Sequence, residues 1–355
     1  MAQNWNRYGP TVARPPAKKP GREVRPKSVT IDVHAHIAVP EADKLVRPHI
    51  DLSRIPFARY STPETKALNQ SQDADLISRM TQYDERLRDL DAMGLDLQLV
   101  MCPPAQCYYT VPAEIAAPAT RIVNDGIAAY VAKKPDRFLG LGSVTLQDGQ
   151  LAVKELEYCM SSLKFKGVQI LTNVDGKELS DPAFAPFWKR AEELGAVVLL
   201  HPAGFTDAQR LSRHYFINVI GNPFDTTVAL HYLIFDGVLE RHPDLKIITV
   251  HGGGYLAAYA GRIDHAWGAR SDVKGDLPKP PTSYLKKVFV DTVVFTAHQL
   301  KALIEVFGVD HVVLGTDYPY DMAEFEPIEH LVSSGLDTAT VGAIGGLNAK
   351  KLLGL

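Results

Sequence analysis

The chain has 355 residues, 46% of them hydrophobic, and a formal net charge of −3. That length and apolar content allow a sizeable core in one large α/β unit. The near-balanced charge gives no reason to expect a nucleic acid or a membrane surface as partner.

The three cysteines, Cys102, Cys107 and Cys159, form neither an even framework nor a close CxxC pair, which fits reduced thiols in the cytoplasm. No apolar run reaches membrane-spanning length. Residues 1–27 hold no apolar signal-peptide core. They carry Arg7, Arg14, Lys18, Lys19, Arg22, Arg25 and Lys27 against the single acid Glu23, with several prolines. This composition predicts a basic, loosely packed N-terminal arm, or one laid over a neighbouring subunit. Residues 28–355 form the main domain.

From Ser28 onward, strand-like and helix-like patterns alternate. Short apolar, β-branched runs predict strands over Val29–His34, Asp96–Met101, Phe138–Val144, Gly167–Leu171, Ala196–Leu200, Lys246–Val250, Val288–Val294 and His311–Gly315. Helical patterns lie between or after them: Arg79–Met93, Ala119–Lys133, Leu151–Leu163, Ala183–Leu194, Thr226–Leu239, Tyr255–Trp267, Ala297–Phe307 and Asn348–Leu353. Gly94, Gly195 and Gly308 stand just past helical patterns, where glycine suits a helix C-terminus. Eight strands in strict alternation with helices predict a parallel (β/α)8 barrel. The connection over residues 38–72 is long for a βα loop and holds Pro40, Pro48, Pro56 and Pro63. It is predicted to be a lid or insertion over the C-terminal face.

Catalytic groups of such barrels gather where the strands end. His34 and His36 end the first strand and share a face, because side chains two apart in a strand point the same way. His201 ends the fifth, His251 the sixth and Asp317 the eighth. Imidazoles and a carboxylate are suitable ligands for Zn2+ and similar divalent ions. Lys164 and Lys166 stand at the start of the fourth strand, not its end, so no lysine is placed to bridge two metals. One divalent ion is expected, Zn2+ first and Mn2+ as the alternative.

His34-x-His36, His201-Pro202, His251-Gly252-Gly253-Gly254 with Gly261-Arg262, and Gly315-Thr316-Asp317-Tyr318-Pro319-Tyr320 together resemble the aminocarboxymuconate-semialdehyde decarboxylase family of the amidohydrolase superfamily. The resemblance spans about residues 31–355. It implies a distorted (β/α)8 barrel and metal-dependent, non-oxidative loss of CO2. It implies His34, His36, His201 and Asp317 as metal ligands, and His251 as catalytic base beside a metal-bound water, with Asp317 taking part in catalysis. It implies a homodimer in which Arg262 binds substrate carboxylate across the subunit interface.

Tyr320 matches an aromatic position lining the family's pocket, Asn218 falls where the family tends to carry tryptophan, and Phe295 is placed to cover a planar substrate. The chain departs from the family at Ser71-Gln72-Asp73-Ala74-Asp75, an acidic stretch where a second carboxylate-binding cation is expected; Arg54, Arg59 or Arg79 would have to substitute. The expected substrate is thus a small aromatic or muconate-type carboxylic acid other than aminocarboxymuconate itself. The ligand set by itself equally permits a hydrolase or hydratase on the same scaffold, because a metal-activated water can protonate a carbon or attack an acyl group.

Overall fold

The computed structural model describes Arg14 and residues 18–355. Eight parallel strand positions form its centre: β1 (Ile31–His36), β2 (Leu97–Met101), β3 (Phe138–Gly140), β4 (Gly167–Leu171), β5 (Val197–His201), β6 (Lys246–Thr249), β7 (Val288–Asp291) and β8 (Val312–Val313). One ladder runs β1-β2-β3. After Leu141 the third strand resumes as Gly142–Ser143 and pairs with β4, from which the ladder continues through β5, β6 and β7 to β8. Backbone hydrogen bonds from Val33 N to Leu314 O, Asp317 N to His34 O and His36 N to Tyr318 O join the last strand to the first. The fold is a distorted (β/α)8 barrel.

Two apolar layers hold it together. Ile31, Val33, Leu99, Val197, Leu199 and Ile248 belong to an inner cluster that the C-terminal helix Asn348–Leu353 joins through Ala349, Leu352 and Leu353. Ala35, Val100, Val168, Val198, Leu200 and Ile247 belong to the outer cluster between strands and helices. These assignments alternate along β5, as a strand covered on both faces requires. In β1 the alternation changes phase: Val33 faces inward, Ala35 outward, and the register with β2 shifts between Asp32 and Ala35. A local irregularity of this kind re-aims side chains.

The predicted strands and most predicted helices are present, with shifted ends. β1 starts and ends two residues later than expected, so both histidines lie within it. The run predicted over Phe138–Val144 is interrupted at Leu141, and the one over His311–Gly315 keeps regular pairing only at Val312 and Val313. Residues 38–72 are largely helical: Pro40–Val46, Pro56–Tyr60 and the first half of Pro63–Thr81, which Thr62 caps by accepting from Thr65 N. A further helix lies at Pro327–Ser333, and an α-helical turn at Thr338–Gly342 passes through a π-helical stretch at Ala343–Leu347 directly into the C-terminal helix.

The described part of the basic arm is not loose. Gly21–Val24 is a short helix whose Gly21 packs on the Met93 carbonyl, and Arg25 pairs with Asp96. Arg14 is buried, with Nη1 2.6 Å from Glu324 Oε2 and 3.0 Å from the Phe295 carbonyl. The remaining residues of the expected arm lie outside the described residues. Among the described residues no helix is long and apolar enough to cross a membrane.

Candidate active site

His34, His36, His201, His251 and Asp317 meet at the C-terminal mouth of the barrel. Ligand atoms of His34, His201, His251 and Asp317 all lie within 4.8 Å of one another. His36 Nε2 joins them, 3.3 Å from His34 Nε2 and 3.2 Å from Asp317 Oδ1. His251 Nε2 is 3.3 Å from Asp317 Oδ2. His251 and Asp317 adopt left-handed backbone (φ 55° and 62°), uncommon for non-glycine residues and concentrated at functional sites.

Each of three imidazoles is oriented by an acceptor at Nδ1. His34 Nδ1 is 2.8 Å from Asp291 Oδ2, His36 Nδ1 is 3.0 Å from the Cys102 carbonyl, and His201 Nδ1 is 2.6 Å from the Pro202 carbonyl. With the proton on Nδ1, each presents an Nε2 lone pair to the shared centre, the arrangement that second-shell acceptors impose on metal-ligating histidines. His201 Nε2 is buried with no hydrogen-bond partner. This donor set fits one divalent cation.

The charges of the cluster are interdependent. Burial lowers His201 to about 3 and also lowers His36, so both are neutral and ready to donate lone pairs. Burial also opposes charge on His34, but the Asp317 and Asp291 carboxylates outweigh it and raise that imidazole to about 10, so without a cation it holds a second proton on Nε2, which a bound dication would displace to free the lone pair. Burial likewise works against the Asp317 carboxylate, yet the surrounding histidines, His34 foremost, hold it well below its ordinary value. A buried cluster this rich in donors and short of cations is electrostatically completed by a bound dication.

Three residues under the site escaped the sequence reading. Asp291, at the end of β7, takes His34 Nδ1 on one oxygen and the backbone N–H groups of Gly252 and Val293 on the other. Asp32 accepts from His34 N, Thr316 N, Thr316 Oγ1 and Gln98 Nε2, tying β1 to β2 and to the Asp317 loop. Arg86, fully buried, donates to the His36 carbonyl and to Gln98 Oε1 and stacks on Tyr318, 4.7 Å from the ring centroid. The only sequence signal for Asp32 and Asp291 is a carboxylate inside an otherwise apolar strand. Gly315 is needed here: a Cβ would come within 2.8 Å of Asp291 Cβ and 3.1 Å of His34 Cβ.

A cavity of about 300 Å³ opens onto the cluster, lined by His201 and Asp317. Tyr320 and Asn218 are on its wall, and Tyr320 is also packed edge-on against His36. The segment after β1 supplies Ile55, Phe57, Asn69, Gln72, Asp73 and Leu76 to the same wall. Phe295 does not line it: its left-handed backbone (φ 63°) begins the turn into the helix Ala297–Phe307. Arg262 does not reach it either, being exposed on the helix Leu256–Ala269. The substitute cations are elsewhere. Arg54 is bound to Asp175 and the Thr110 carbonyl, Arg79 to Asp89 and Glu85, and Arg59 lies over the Tyr60 ring. The end of β4 carries no lysine; Thr172 and Asn173 there donate to Asp225.

A (β/α)8 barrel with histidines and an aspartate converging on its C-terminal mouth defines the class of metal-dependent barrel enzymes. The chain belongs to the amidohydrolase family, whose pattern matches residues 31–355. It is 31% identical to a 2-amino-3-carboxymuconate-6-semialdehyde decarboxylase of Dictyostelium discoideum over 333 residues, 93% of this chain and 92% of that protein. It is 29% identical to a gamma-resorcylate decarboxylase of Rhizobium radiobacter over 301 residues, 77% and 87% of the two chains. Among solved structures, 5-carboxyvanillate decarboxylase from Sphingomonas paucimobilis superposes with a TM-score of 0.81 at 25% identity, covering 93% of this chain and 100% of that one.

Proposed function

We propose that this protein is a carboxy-lyase: a metal-dependent, non-oxidative decarboxylase of an aromatic or muconate-type carboxylic acid. The observation that carries the reading is the cluster of Nε2-presenting histidines around Asp317 at the foot of a cavity sized for one ring. The relatives support carbon–carbon cleavage over hydrolysis, since decarboxylases of three different acids share this fold and most of this chain's length.

His34, His36, His201 and Asp317 would hold the cation, Zn2+ in our reading and Mn2+ as the alternative, both suited to imidazole and carboxylate donors. When bound, it supplies Lewis-acid polarisation of substrate oxygens. The chain's own groups do the rest. His251 and Asp317, 3.3 Å apart, form a pair able to hold and pass one proton. That proton goes to the carbon bearing the carboxylate. The bond from this carbon to the carboxylate then breaks, its electron pair returns to the conjugated system, and CO2 leaves, so one proton is consumed per CO2 released. The apolar wall at Ile55, Phe57 and Leu76 keeps the ring out of water.

We also propose a homodimer in which Arg262 of each subunit serves the partner's cavity. What supports it is the helix Leu256–Ala269: only Leu256 is buried, Tyr259 is 66% exposed, and the neighbouring Phe224 and Tyr232 are also exposed. The three buried, unpaired cysteines suit a cytoplasmic setting. The deciding experiment supplies carboxyl-labelled hydroxybenzoates and muconates to the Zn2+- or Mn2+-loaded enzyme and follows label release with the product mass. Loss of one CO2 per turnover is expected; water uptake without carbon loss would make the protein a hydrolase or hydratase.

A further inference from the structure

The N-terminal arm touches both ends of the barrel. At the end where the strands start, Gly21 packs on the Met93 carbonyl and Arg25 pairs with Asp96, the residue before β2. At the end where they finish, Arg14 is buried between the loops that follow β7 and β8. Its Nη1 donates to the Phe295 carbonyl at 3.0 Å and to Glu324 Oε2 at 2.6 Å, and Nη2 donates to Glu324 Oε1 at 3.1 Å. A two-pronged grip of this kind fixes direction as well as distance.

Both loops build the metal cluster. Glu324 N donates to the Thr316 carbonyl at 2.8 Å, so Glu324 closes the loop that carries Asp317 and Tyr320. The other loop starts at Asp291, which orients His34 and accepts from Gly252 N, next to His251. Val294 of that loop packs on Gly252 so closely that a Cβ there would come within 2.5 Å of Val294 Cγ1. Each loop also holds a non-glycine residue in left-handed backbone, Asp317 (φ 62°) and Phe295 (φ 63°). Such conformations persist only where the surroundings over-determine them. At the strand ends the two loops are joined by Thr292 Oγ1 and the Gly315 carbonyl, 3.3 Å apart. Arg14 is a second link, farther along both. We propose that Arg14 is a positioning residue for the metal site. By tying Phe295 to Glu324, it holds Asp317 and the Asp291–Gly252 contact at the spacing the cation requires, so a segment outside the barrel sets the affinity of the site. This rests on the reading that His34, His36, His201 and Asp317 hold a divalent cation, and not on the reaction that follows.

An ion pair that served stability alone would leave the cluster's geometry untouched. The two roles separate in the double variant Arg14→Ala/Glu324→Gln, which removes the bridge without leaving Glu324 charged and unpaired. The test titrates Co2+ into the metal-free full-length parent, Arg14→Ala and the double variant, with circular dichroism showing that each is folded at the temperature used. Competition with a chelator gives the Kd, and the visible Co2+ bands report ligand geometry. Both variants are expected to bind Co2+ about tenfold more weakly than the parent, the low end of the cost of losing an outer partner of a ligand, and with altered bands. The double variant should do so although it recovers stability. A parental Kd or unaltered bands in the double variant overturns the proposal and leaves Arg14 a stability residue; should Arg14→Ala alone not fold, the double variant still decides. Failure of the parent itself to bind Co2+ would sink the metal-site reading, and this proposal with it.

Discussion

Asp291 Oδ2 lies 2.8 Å from His34 Nδ1, both side chains fully buried, and the other Asp291 oxygen is held by two backbone N–H groups. The carboxylate is therefore fixed before any metal arrives, and it sets which nitrogen of His34 faces the centre. Asp291→Ala should weaken metal affinity by about 10- to 100-fold, the usual cost of losing an outer partner of a ligating histidine. Competition against a chromophoric chelator measures this. Unchanged affinity would reduce Asp291 to a packing group.

His251 sits at the edge of the cluster, and its Nδ1 is not hydrogen-bonded. A proton-transfer role predicts that His251→Ala keeps its metal and loses about 10²- to 10⁴-fold in kcat, the range of general acid–base contributions. Metal content by mass spectrometry, with turnover measured on the same sample, separates the possibilities. Loss of the metal together with activity would make His251 a ligand.

What the sequence showed and what it hid follow from range. Strands β1 and β5 are short apolar runs that end in histidine, and His251 stands two residues past the end of β6, so both the element and its functional tip are local signals. The helix Pro63–Thr81 is predominantly polar, and its Asn69, Gln72 and Asp73 have a meaning only once a barrel mouth lies beneath them. The Asp291–His34 bond joins residues 257 apart. Asp291 itself reads as a strand-end acid with no partner in view. Arg14 is the extreme case: basic composition predicts a loose arm, whereas the burial of that one arginine depends on Glu324, 310 positions away.

Arg14 makes a stability prediction. Its guanidinium donates to both Glu324 oxygens, at 2.6 and 3.1 Å, and Nε is 3.6 Å from Glu329. Removing one partner of a buried pair leaves an uncompensated charge, so Arg14→Ala should destabilise by about 3 kcal/mol. Adding Glu324→Gln should restore part of that. Urea unfolding of the two variants checks it; a single variant as stable as the parent would show that the arm contributes nothing.

Asp225 predicts a pH dependence. Burial raises its pKa from 3.8 to about 6, although Thr172 and Asn173 donate to it. The folded state therefore binds more protons than the unfolded one between those values, and stability falls as pH rises from about 4 to 6, then levels. The shift corresponds to about 3 kcal/mol at 1.36 kcal/mol per pH unit. Asp225→Asn removes the ionisation, so its stability relative to the parent should climb across that window and stay level above it. Parallel denaturation curves from pH 4 to 8 read the difference directly, and a pH-independent difference would contradict the burial argument.

Arg262 decides whether the site is shared. In one chain it is exposed and away from the cavity, on a helix that carries the exposed Tyr259 and is preceded by the exposed Tyr255. If two-fold pairing brings it to the partner's cavity, Arg262→Ala and His251→Ala homodimers should each be inactive for different reasons. In a mixed dimer, one cavity keeps its own His251 and receives an intact Arg262 from the His251→Ala subunit, while the other lacks both. Random mixing makes half the dimers mixed, with one working site of two, so activity should recover to about a quarter of the parent's under two-fold symmetry. Sedimentation of the mixture verifies that dimers form. Dimers with no recovered activity would place the carboxylate-binding cation somewhere other than Arg262.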